Sequence, residues 1–258
     1  MKAKVWYLAH SGFAVQTQSS FLIFDYYLDE PKGGTIEQGV IDPKELAEKN
    51  VIVFVSHNHD DHFNPVVFEW QKTIPNIRYI LSNDIPEIPN AIMIGPDDTV
   101  EQEDLVVKTY RSTDEGVAFL VQIDGLAIYH AGDLNWWHWE GEPETYNIKM
   151  ADDYKKQIDL LAGERIDLAF VPLDPRQERQ YDWGVKYLLE RNNVPYVVPM
   201  HFGNQPDVID RLLVEPYMSC HANRICPLRH RGQCLEFSGY MVGMPRGSPA
   251  SPVSVVSV

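Results

Sequence analysis

Six consecutive residues, His57–His62, constrain this chain more than any other stretch of its sequence. The run is His-Asn-His-Asp-Asp-His, with three imidazoles and two carboxylates. It follows an apolar run, Val51–Val55, that is typical of a fully buried strand. His57 and His59 are two residues apart, so in extended backbone their side chains point the same way. A turn would then bring Asp61 and His62 back towards them. Imidazole combined with carboxylate suits a divalent transition metal better than calcium.

A solvated polar loop with unrelated histidines is the alternative interpretation of this run. Single histidines in loops usually carry no function. A match to His-x-His-x-Asp-His at the end of a buried strand is much harder to obtain by chance. The run therefore predicts a metal site.

The charge balance restricts the partners of the protein. The chain has 258 residues, with 22 basic and 37 acidic side chains and a formal net charge of −15. Affinity for nucleic acid depends mainly on neutralising phosphates. The balance therefore argues against nucleic acid and against anionic membrane surfaces as partners. A small-molecule substrate is expected, and it can be anionic because a bound metal inverts the local field.

Three cysteines, Cys220, Cys226 and Cys234, lie near the end of the chain. Their odd number and the lack of a Cys-x-x-Cys pair favour free thiols over disulfides or a second zinc site. The first residues lack the apolar core of a signal peptide, and no stretch of about 18 apolar residues predicts a membrane span. We therefore expect a cytoplasmic protein, and association into a homo-oligomer stays open.

Short strands dominate the first quarter of the chain, and strands alternate with helices afterwards. The predicted strands are Lys4–Leu8, Gly12–Thr17, Phe21–Phe24, Val51–Val55, Arg78–Leu81, Ala91–Ile94, Leu105–Tyr110, Val117–Ile123, Leu126–His130, Leu168–Val171, Pro195–Pro199 and Gln233–Phe237. The predicted helices run from Asp42-Pro43 through Lys49, from Asn64-Pro65, and over Ala151–Ala162, Asp182–Arg191 and Pro206–Leu213. This order is typical of an α/β (α+β) fold with two packed sheets and outer helices.

The domain organisation is expected to be simple. No linker rich in Pro, Gly and Ser interrupts residues 1–240, so we predict a single domain there. Residues 241–258 are rich in Gly, Pro, Ser and Val, and this composition predicts a flexible tail.

Two further predicted strands are followed by side chains that can bind a metal. Leu126–His130 precedes Ala131-Gly132-Asp133, and the strand from Pro195 precedes His201-Phe202-Gly203. Open α/β sheets place their ligand sites at the carboxyl ends of strands. A turn cap is the alternative role for Asp133, and a backbone-bonded buried histidine is the alternative for His201. We expect both to be metal ligands, and the case for His130 is weaker.

Four segments, in order along the chain, form a recognisable set: Leu8–Phe13, with the sequence Leu-Ala-His-Ser-Gly-Phe, then His57–His62, Ala131–Asp133 and Pro199–Gly203. Together they resemble the metallo-β-lactamase superfamily, and most of all its hydrolase branch that includes L-ascorbate-6-phosphate lactonase. The resemblance implies a four-layer αββα sandwich of two mixed β-sheets flanked by helices, with metals bound at one edge.

The resemblance also implies a set of metal ligands. They are His57 and His59 for a first metal, Asp61 and His62 for a second, Asp133 as a bridge, and His201 to complete the second site. One or two divalent transition metal ions are expected. Zinc is the first expectation, with manganese and iron as alternatives.

One segment departs from the family pattern. The family usually supplies another first-site histidine where this chain has Lys108–Gly116, and that segment contains none. Ser112, Asp114 or Glu115 could replace it. We therefore predict a complete second site and an incomplete first site.

Metal-dependent hydrolysis is the function that these residues predict. A metal-activated water would attack an ester, lactone, amide or phosphoester bond of a small molecule. Asp61 would orient the water and accept its proton. His10 would assist as a hydrogen-bond donor or substrate contact, with a structural role as its alternative. An iron-dependent oxidoreductase on the same scaffold and a non-catalytic metal-binding protein are the competing hypotheses.

A tryptophan-rich segment follows Asp133 directly. Three of the four residues 136–139 are tryptophan. We predict a substrate-contacting wall or lid that contains Trp136, Trp137 and His138. A plug within the domain or a dimer contact is the alternative.

Overall fold

Residues 2–238 are described by a computed structural model, and they divide into two compact units. The first unit is the described part of Met1–Ile94, Ile123–Gly125 and Leu228–Val258, and the second is Gly95–Gln122 with Leu126–Pro227. The predicted flexible tail, 241–258, lies outside the described residues. The single domain expected over residues 1–240 stays a prediction.

The first unit contains a seven-stranded mixed sheet. Its strands are β1 (Lys2–Ala9), β2 (Gly12–Gln16), β3 (Ser20–Phe24), β4 (Asn50–Val55), β5 (Ile77–Ser82), β6 (Ile92–Ile94) and β13 (Cys234–Ser238). Their spatial order is β13-β1-β2-β3-β4-β5-β6. Strands β3 and β4 are parallel, with Phe24 opposite Phe54. The residues that follow them, Asp25 and Ser56, therefore emerge at the same edge of the sheet.

Strand β4 is buried on both faces. Val51, Val53 and Val55 belong to one cluster of buried side chains with Val67 and Trp70. On the opposite face Phe54 stacks on Phe24, with 4.7 Å between the ring centroids. Full burial of such a side chain contributes about 1.5–3 kcal/mol. A register shift by one residue would exchange the two faces, so this packing fixes where the histidine run begins.

Arg231 ties the end of β1 to the loop that follows β3. Its guanidinium donates hydrogen bonds to the carbonyl oxygens of Leu8, Leu28, Glu30 and Gly39. Gly39 has a φ of 71°, and a Cβ atom there would lie 2.5 Å from Cγ of Arg231. A single side chain thus fixes two backbone segments that lead to candidate site residues.

The second unit contains a six-stranded mixed sheet of order β12-β11-β10-β9-β8-β7. Its strands are β7 (Thr99–Gln102), β8 (Leu105–Arg111), β9 (Val117–Ile123), β10 (Leu126–His130), β11 (Leu168–Pro172) and β12 (Tyr196–Met200). Its helices are α1 (Glu144–Leu160), α2 (Trp183–Arg191) and α3 (Asp207–Leu213). Strands β10, β11 and β12 are parallel neighbours, so their carboxyl ends share one edge of this sheet.

The fold class predicted from the sequence, two mixed β-sheets with flanking helices, is confirmed. An Asp-Gly sequence forms the turn between β9 and β10. Asp124 and Gly125 have φ values of 50° and 74°, which is the backbone of a tight hairpin turn. No helix within residues 2–238 combines the length and the apolar character needed to cross a membrane.

Several element boundaries differ from the prediction. Helix α1 begins at Glu144 rather than at Ala151, because its first turns expose Tyr146 and Ile148 and so show no apolar stripe. Strand β7 was not predicted, since Thr-Val-Glu-Gln contains one apolar residue.

The two helices predicted after Asp-Pro and Asn-Pro are 3₁₀ segments, Pro43–Leu46 and Pro65–Lys72. The polar residue before each proline caps its segment. Asp42 accepts a hydrogen bond from Lys44 N, and Asn64 accepts one from Val66 N.

Two tyrosines of the second unit should respond in opposite ways to removal of the hydroxyl. Within the described residues, the buried hydroxyl of Tyr129 has no hydrogen-bond partner, whereas Tyr154 donates to the carbonyl of Gly184 at 2.7 Å. Tyr129→Phe should leave the free energy of unfolding unchanged or raise it by up to about 1 kcal/mol. Tyr154→Phe should lower it by about 1–2 kcal/mol, because it leaves a buried carbonyl without its donor. Urea denaturation of wild type and both variants measures these free energies, and an equal decrease in the two variants would contradict the prediction.

Candidate metal-binding residues

The histidine run begins two residues after β4 and turns back as predicted. The main-chain N–H groups of His62 and Phe63 both donate to the carbonyl of His59. His57 and His62 are fully buried. Nε2 of His57 lies 3.0 Å from Nδ1 of His59. Within this unit, His10, Asp61 and His62 each offer a ligand atom, and these atoms lie within 4.8 Å of one another.

Asp25, which the sequence analysis did not single out, holds two of these histidines. It follows β3 and is fully buried. Its carboxylate accepts hydrogen bonds from Ser56 N at 2.8 Å, Ser56 Oγ at 2.6 Å and His62 Nδ1 at 2.8 Å. Ser56 Oγ lies in turn 2.9 Å from Nδ1 of His57. One carboxylate therefore orients His62 directly and His57 through a hydroxyl.

These hydrogen bonds favour the same tautomer in both imidazoles. The Ser56 hydroxyl has one proton, which it donates to Asp25, so Oγ accepts from Nδ1–H of His57. Nδ1–H of His62 donates to Asp25 itself. The neutral form of each ring then has its lone pair on Nε2. Metal-ligating histidines typically show this pattern, with the other ring N–H bound to a carboxylate or an equivalent acceptor.

His10 occupies a strained turn between β1 and β2. Its φ is 52°, which is unfavourable for a residue other than glycine. Its main-chain N–H donates to the hydroxyl of Tyr7 at 3.0 Å. Its Nε2 lies 3.4 Å from Oδ2 of Asp61, whose side chain is 52% exposed. A Cβ atom at Gly12 would lie 2.9 Å from the carbonyl oxygens of Ala9 and Asp25, so the turn requires glycine.

The second unit repeats the carboxylate–imidazole arrangement. Asp174 follows β11 and His201 follows β12, its parallel neighbour. Nδ1 of His201 lies 2.9 Å from Oδ2 of Asp174, and Nε2 lies 3.3 Å from Oδ1 of Asp133. All three side chains are buried. The structure thus brings together two predicted ligands of this unit, Asp133 and His201, and adds a carboxylate that the sequence analysis did not identify as their support.

Asp174 carries its charge despite its burial. Burial raises the pKa of its carboxyl group, but hydrogen bonds from His201 and Arg176 outweigh that effect and lower the pKa from 3.8 to about 2. The Arg176 guanidinium contacts both carboxylate oxygens, with Nε 3.0 and 2.9 Å away. The ionised carboxylate favours Nδ1–H on His201, which leaves Nε2 as the candidate ligand nitrogen.

The donor chemistry of both units fits a divalent transition metal. In each unit a buried carboxylate lies within hydrogen-bond distance of a histidine Nδ1, so Nε2 of the same ring is the candidate ligand atom. Each unit also offers a nearby carboxylate oxygen, from Asp61 or Asp133. Imidazole with carboxylate is the ligand combination typical of zinc, manganese and iron sites.

In Lys108–Gly116, the segment that lacks the expected histidine, Ser112 and Thr113 form hydrogen bonds with main-chain groups. Thr113 Oγ1 donates to the carbonyl of Asn135 at 2.6 Å and accepts from Asn135 N at 3.0 Å. Ser112 Oγ accepts from Asp114 N. Replacement of the missing ligand by Ser112, Asp114 or Glu115 stays a prediction. His130 is buried, and its Nδ1 accepts from Gly132 N at 3.2 Å.

The tryptophan-rich loop packs within the second unit. The ring of Trp136 lies 4.2 Å from Nζ of Lys155 and 5.1 Å from the ring of Trp183. His138 also packs on Trp183, at 4.9 Å. Trp137 is 5% exposed, and its ring lies 5.2 Å from His201. Contact of Trp136, Trp137 and His138 with a substrate stays a prediction.

Comparison with known proteins gives a family match. Residues 4–138, more than half of the chain, match the family described as "Beta-lactamase superfamily domain". A protein of Pyrococcus furiosus named metal-dependent hydrolase is 26% identical over 223 residues, which cover 80% of this chain and 87% of the relative. A protein of the same name from Thermococcus kodakarensis is 25% identical, with the same coverage.

Solved structures show the same fold. Igni18, a metallo hydrolase from the archaeon Ignicoccus hospitalis, superposes with a TM-score of 0.60 at 16% identity, covering 93% of this chain and 100% of that chain. CmlA, a diiron β-hydroxylase from Streptomyces venezuelae, superposes with a TM-score of 0.56 at 12% identity, covering 91% of this chain and 54% of that chain. At these identities the likeness concerns the fold.

Substitutions at Asp25 and Ser56 should weaken metal binding to different extents. In Asp25→Asn the amide donates to Nδ1 of His62 and moves the proton to Nε2, the nitrogen needed for the metal. Zinc affinity should fall about 10- to 100-fold. Ser56→Ala releases His57 only and should cost less. Competition with a chromophoric chelator measures both variants, with near-ultraviolet circular dichroism as the check on folding. Wild-type affinity in folded Asp25→Asn would refute the role of this carboxylate.

Acid should remove the stabilisation that Asp174 provides. Its folded-state pKa of about 2 lies below its ordinary value of 3.8. The ionised carboxylate therefore stabilises the fold above about pH 4, and this contribution is lost as pH falls through 2. It amounts to about 2 kcal/mol. In metal-free protein, the difference in unfolding free energy between wild type and Asp174→Asn should shrink by that amount from pH 5 to pH 2. Asp152→Asn, at an exposed position of α1, is the control and should keep the wild-type pH dependence.

Proposed function

The chain belongs to the β-lactamase superfamily, and we propose that this metal-dependent hydrolase cleaves an ester, lactone, amide or phosphoester bond of a small molecule. The observation that carries the proposal is the pair of buried carboxylate–imidazole hydrogen bonds, Asp25 to His62 and Asp174 to His201. Both leave Nε2 as a ligand nitrogen. The names of the curated relatives support the hydrolase class.

The proposed metal ligands are those that the family resemblance implies. In the first unit they are His57, His59, Asp61 and His62, and in the second unit they are Asp133 and His201. We propose zinc, with manganese and iron as alternatives. A bound ion of this kind lowers the pKa of a coordinated water to near 7 and polarises the substrate oxygen.

Asp61 is the proposed proton acceptor. Its carboxylate is half exposed, so a water molecule and a substrate can reach it. His10 Nε2, 3.4 Å from that carboxylate, can hold it in place or donate to the substrate. The left-handed backbone of His10 supports a functional role, because strain of this kind is concentrated at active sites.

A small-molecule substrate and a cytoplasmic location complete the proposal. Trp136, Trp137 and His138 are the proposed substrate wall, supported by their place directly after Asp133. The net charge of −15 disfavours nucleic acid as a substrate. We propose the cytoplasm as the compartment, supported by three cysteines that form no disulfide.

The test is an activity screen with metal-reconstituted protein. Metal-free protein is loaded with zinc, manganese or iron and is assayed on aryl ester, lactone, amide and phosphodiester substrates. Wild type should hydrolyse at least one class, and chelation should abolish the activity. Asp61→Asn should lower kcat about 10²- to 10⁴-fold, because it removes the proton acceptor. Asp60→Asn changes the neighbouring exposed aspartate and is the matched control.

Each outcome separates the proposal from its alternatives. Metal binding without turnover on any substrate class would favour a non-catalytic metal-binding protein. Oxygen consumption with iron alone, and no hydrolysis, would favour an oxidoreductase. Equal loss of activity in Asp60→Asn and Asp61→Asn would contradict the role assigned to Asp61.

A further inference from the structure

Trp137 contacts the second unit's two candidate ligands in two different ways. Its indole Nε1–H donates to the carbonyl oxygen of Asp133 at 2.9 Å. Its ring lies 5.2 Å from the imidazole of His201, tilted by 56°. The side chain is 5% exposed, so neither contact is open to competition from bulk water. A single residue thus restrains the main chain of one candidate ligand and the ring of the other.

Two side chains lie within hydrogen-bond distance of the Asp133 carbonyl oxygen, and the Trp137 indole is the stronger donor. Thr113 Oγ1 also lies 3.3 Å from that oxygen, but its single proton is directed to Asn135 O at 2.6 Å. Gly132, directly before Asp133, has a φ of 51°. The Asp133 main chain therefore leaves a left-handed turn, and the indole fixes the orientation of its carbonyl.

The orientation of Trp137 is itself fixed. Its ring is parallel to that of Trp139, with a 2° interplanar angle and 5.9 Å between centroids. A ring in contact with both Trp139 and His201 cannot rotate without losing one of these contacts. Trp136 differs, because its ring packs on Lys155 and Tyr187 instead.

We propose that Trp137 is a positioning residue that holds Asp133 and His201 in the geometry that metal binding requires. This rests on the proposed function, since it assigns the two side chains as ligands. The indole acts through its N–H and its ring face, and it touches no reacting atom in that role. Loss of such an outer contact to a metal ligand typically weakens metal affinity 10- to 100-fold.

The experiment measures zinc affinity rather than turnover. Trp137→Phe removes the N–H and part of the ring. A second variant carries β-(3-benzothienyl)alanine at position 137, which keeps the indole shape and replaces only the N–H. Trp139→Phe, in the same loop, is the matched control because its ring can still stack on Trp137. Zinc affinity is measured by chelator competition, and the cobalt(II)-substituted proteins are compared by their visible absorption. Folding is checked by urea denaturation in chelator.

We expect roughly tenfold weaker zinc binding and a changed cobalt spectrum in both variants at position 137, with wild-type values in Trp139→Phe. If folded variants at position 137 bind zinc as tightly as wild type, the positioning role is wrong while the proposed function stands. If wild type itself binds no zinc, manganese or iron, the proposed function fails and the inference fails with it. An equal loss in Trp139→Phe would assign the effect to loop packing and overturn the specific role of Trp137.

Discussion

A buried hydrogen bond between a carboxylate and an imidazole is the interaction on which both candidate ligand sets depend. Removing a carboxylate from water costs several kcal/mol, and only good hydrogen bonds offset that cost. For Asp25 this cost is offset by hydrogen bonds from a main-chain N–H, a hydroxyl and an imidazole. Each pair follows two neighbouring parallel strands, whose carboxyl ends lie at the same edge of a sheet. Asp25 follows β3 and the histidine run follows β4. In the same way, Asp174 follows β11 and His201 follows β12.

Backbone strain accompanies these hydrogen bonds. His10, Asp25 and His201 all have a positive φ, which costs roughly 1–2 kcal/mol for a residue with a side chain. The surrounding structure must therefore impose the conformation. For Asp25 and His10 it does so through buried strands and through Arg231, whose guanidinium binds the carbonyl of Leu8 before His10 and three carbonyls after Asp25. The contacts that maintain the strained backbone of His10 and Asp25 therefore include the hydrogen bonds of Arg231, which is not a candidate ligand.

The sequence allowed the fold class to be predicted, and it placed the candidate ligands at strand ends, because both follow from local patterns. An apolar run followed by His-x-His-x-Asp-His is a signal within about a dozen residues. Asp25 and Asp174 were not identified, since their partners are 37 and 27 residues away. An aspartate after a strand has many ordinary roles, and Asp174 also serves as the cap of the following 3₁₀ segment. Trp137 was predicted as part of a substrate-contacting aromatic loop and not as a partner of Asp133, because sequence spacing carries no information about where an indole N–H points.

The two supporting carboxylates differ in one respect that bears on ligand strength. Asp174 also binds the charged guanidinium of Arg176 through both oxygens, and a bidentate arginine takes up part of the negative charge that would otherwise act on the imidazole. A carboxylate with more charge raises the basicity of the histidine that it holds. The Asp25–His62 bond is made alongside two uncharged donors from Ser56. The two candidate ligands are therefore supported differently: Asp25 directs its charge to His62 and Ser56, whereas Asp174 shares its charge between His201 and Arg176.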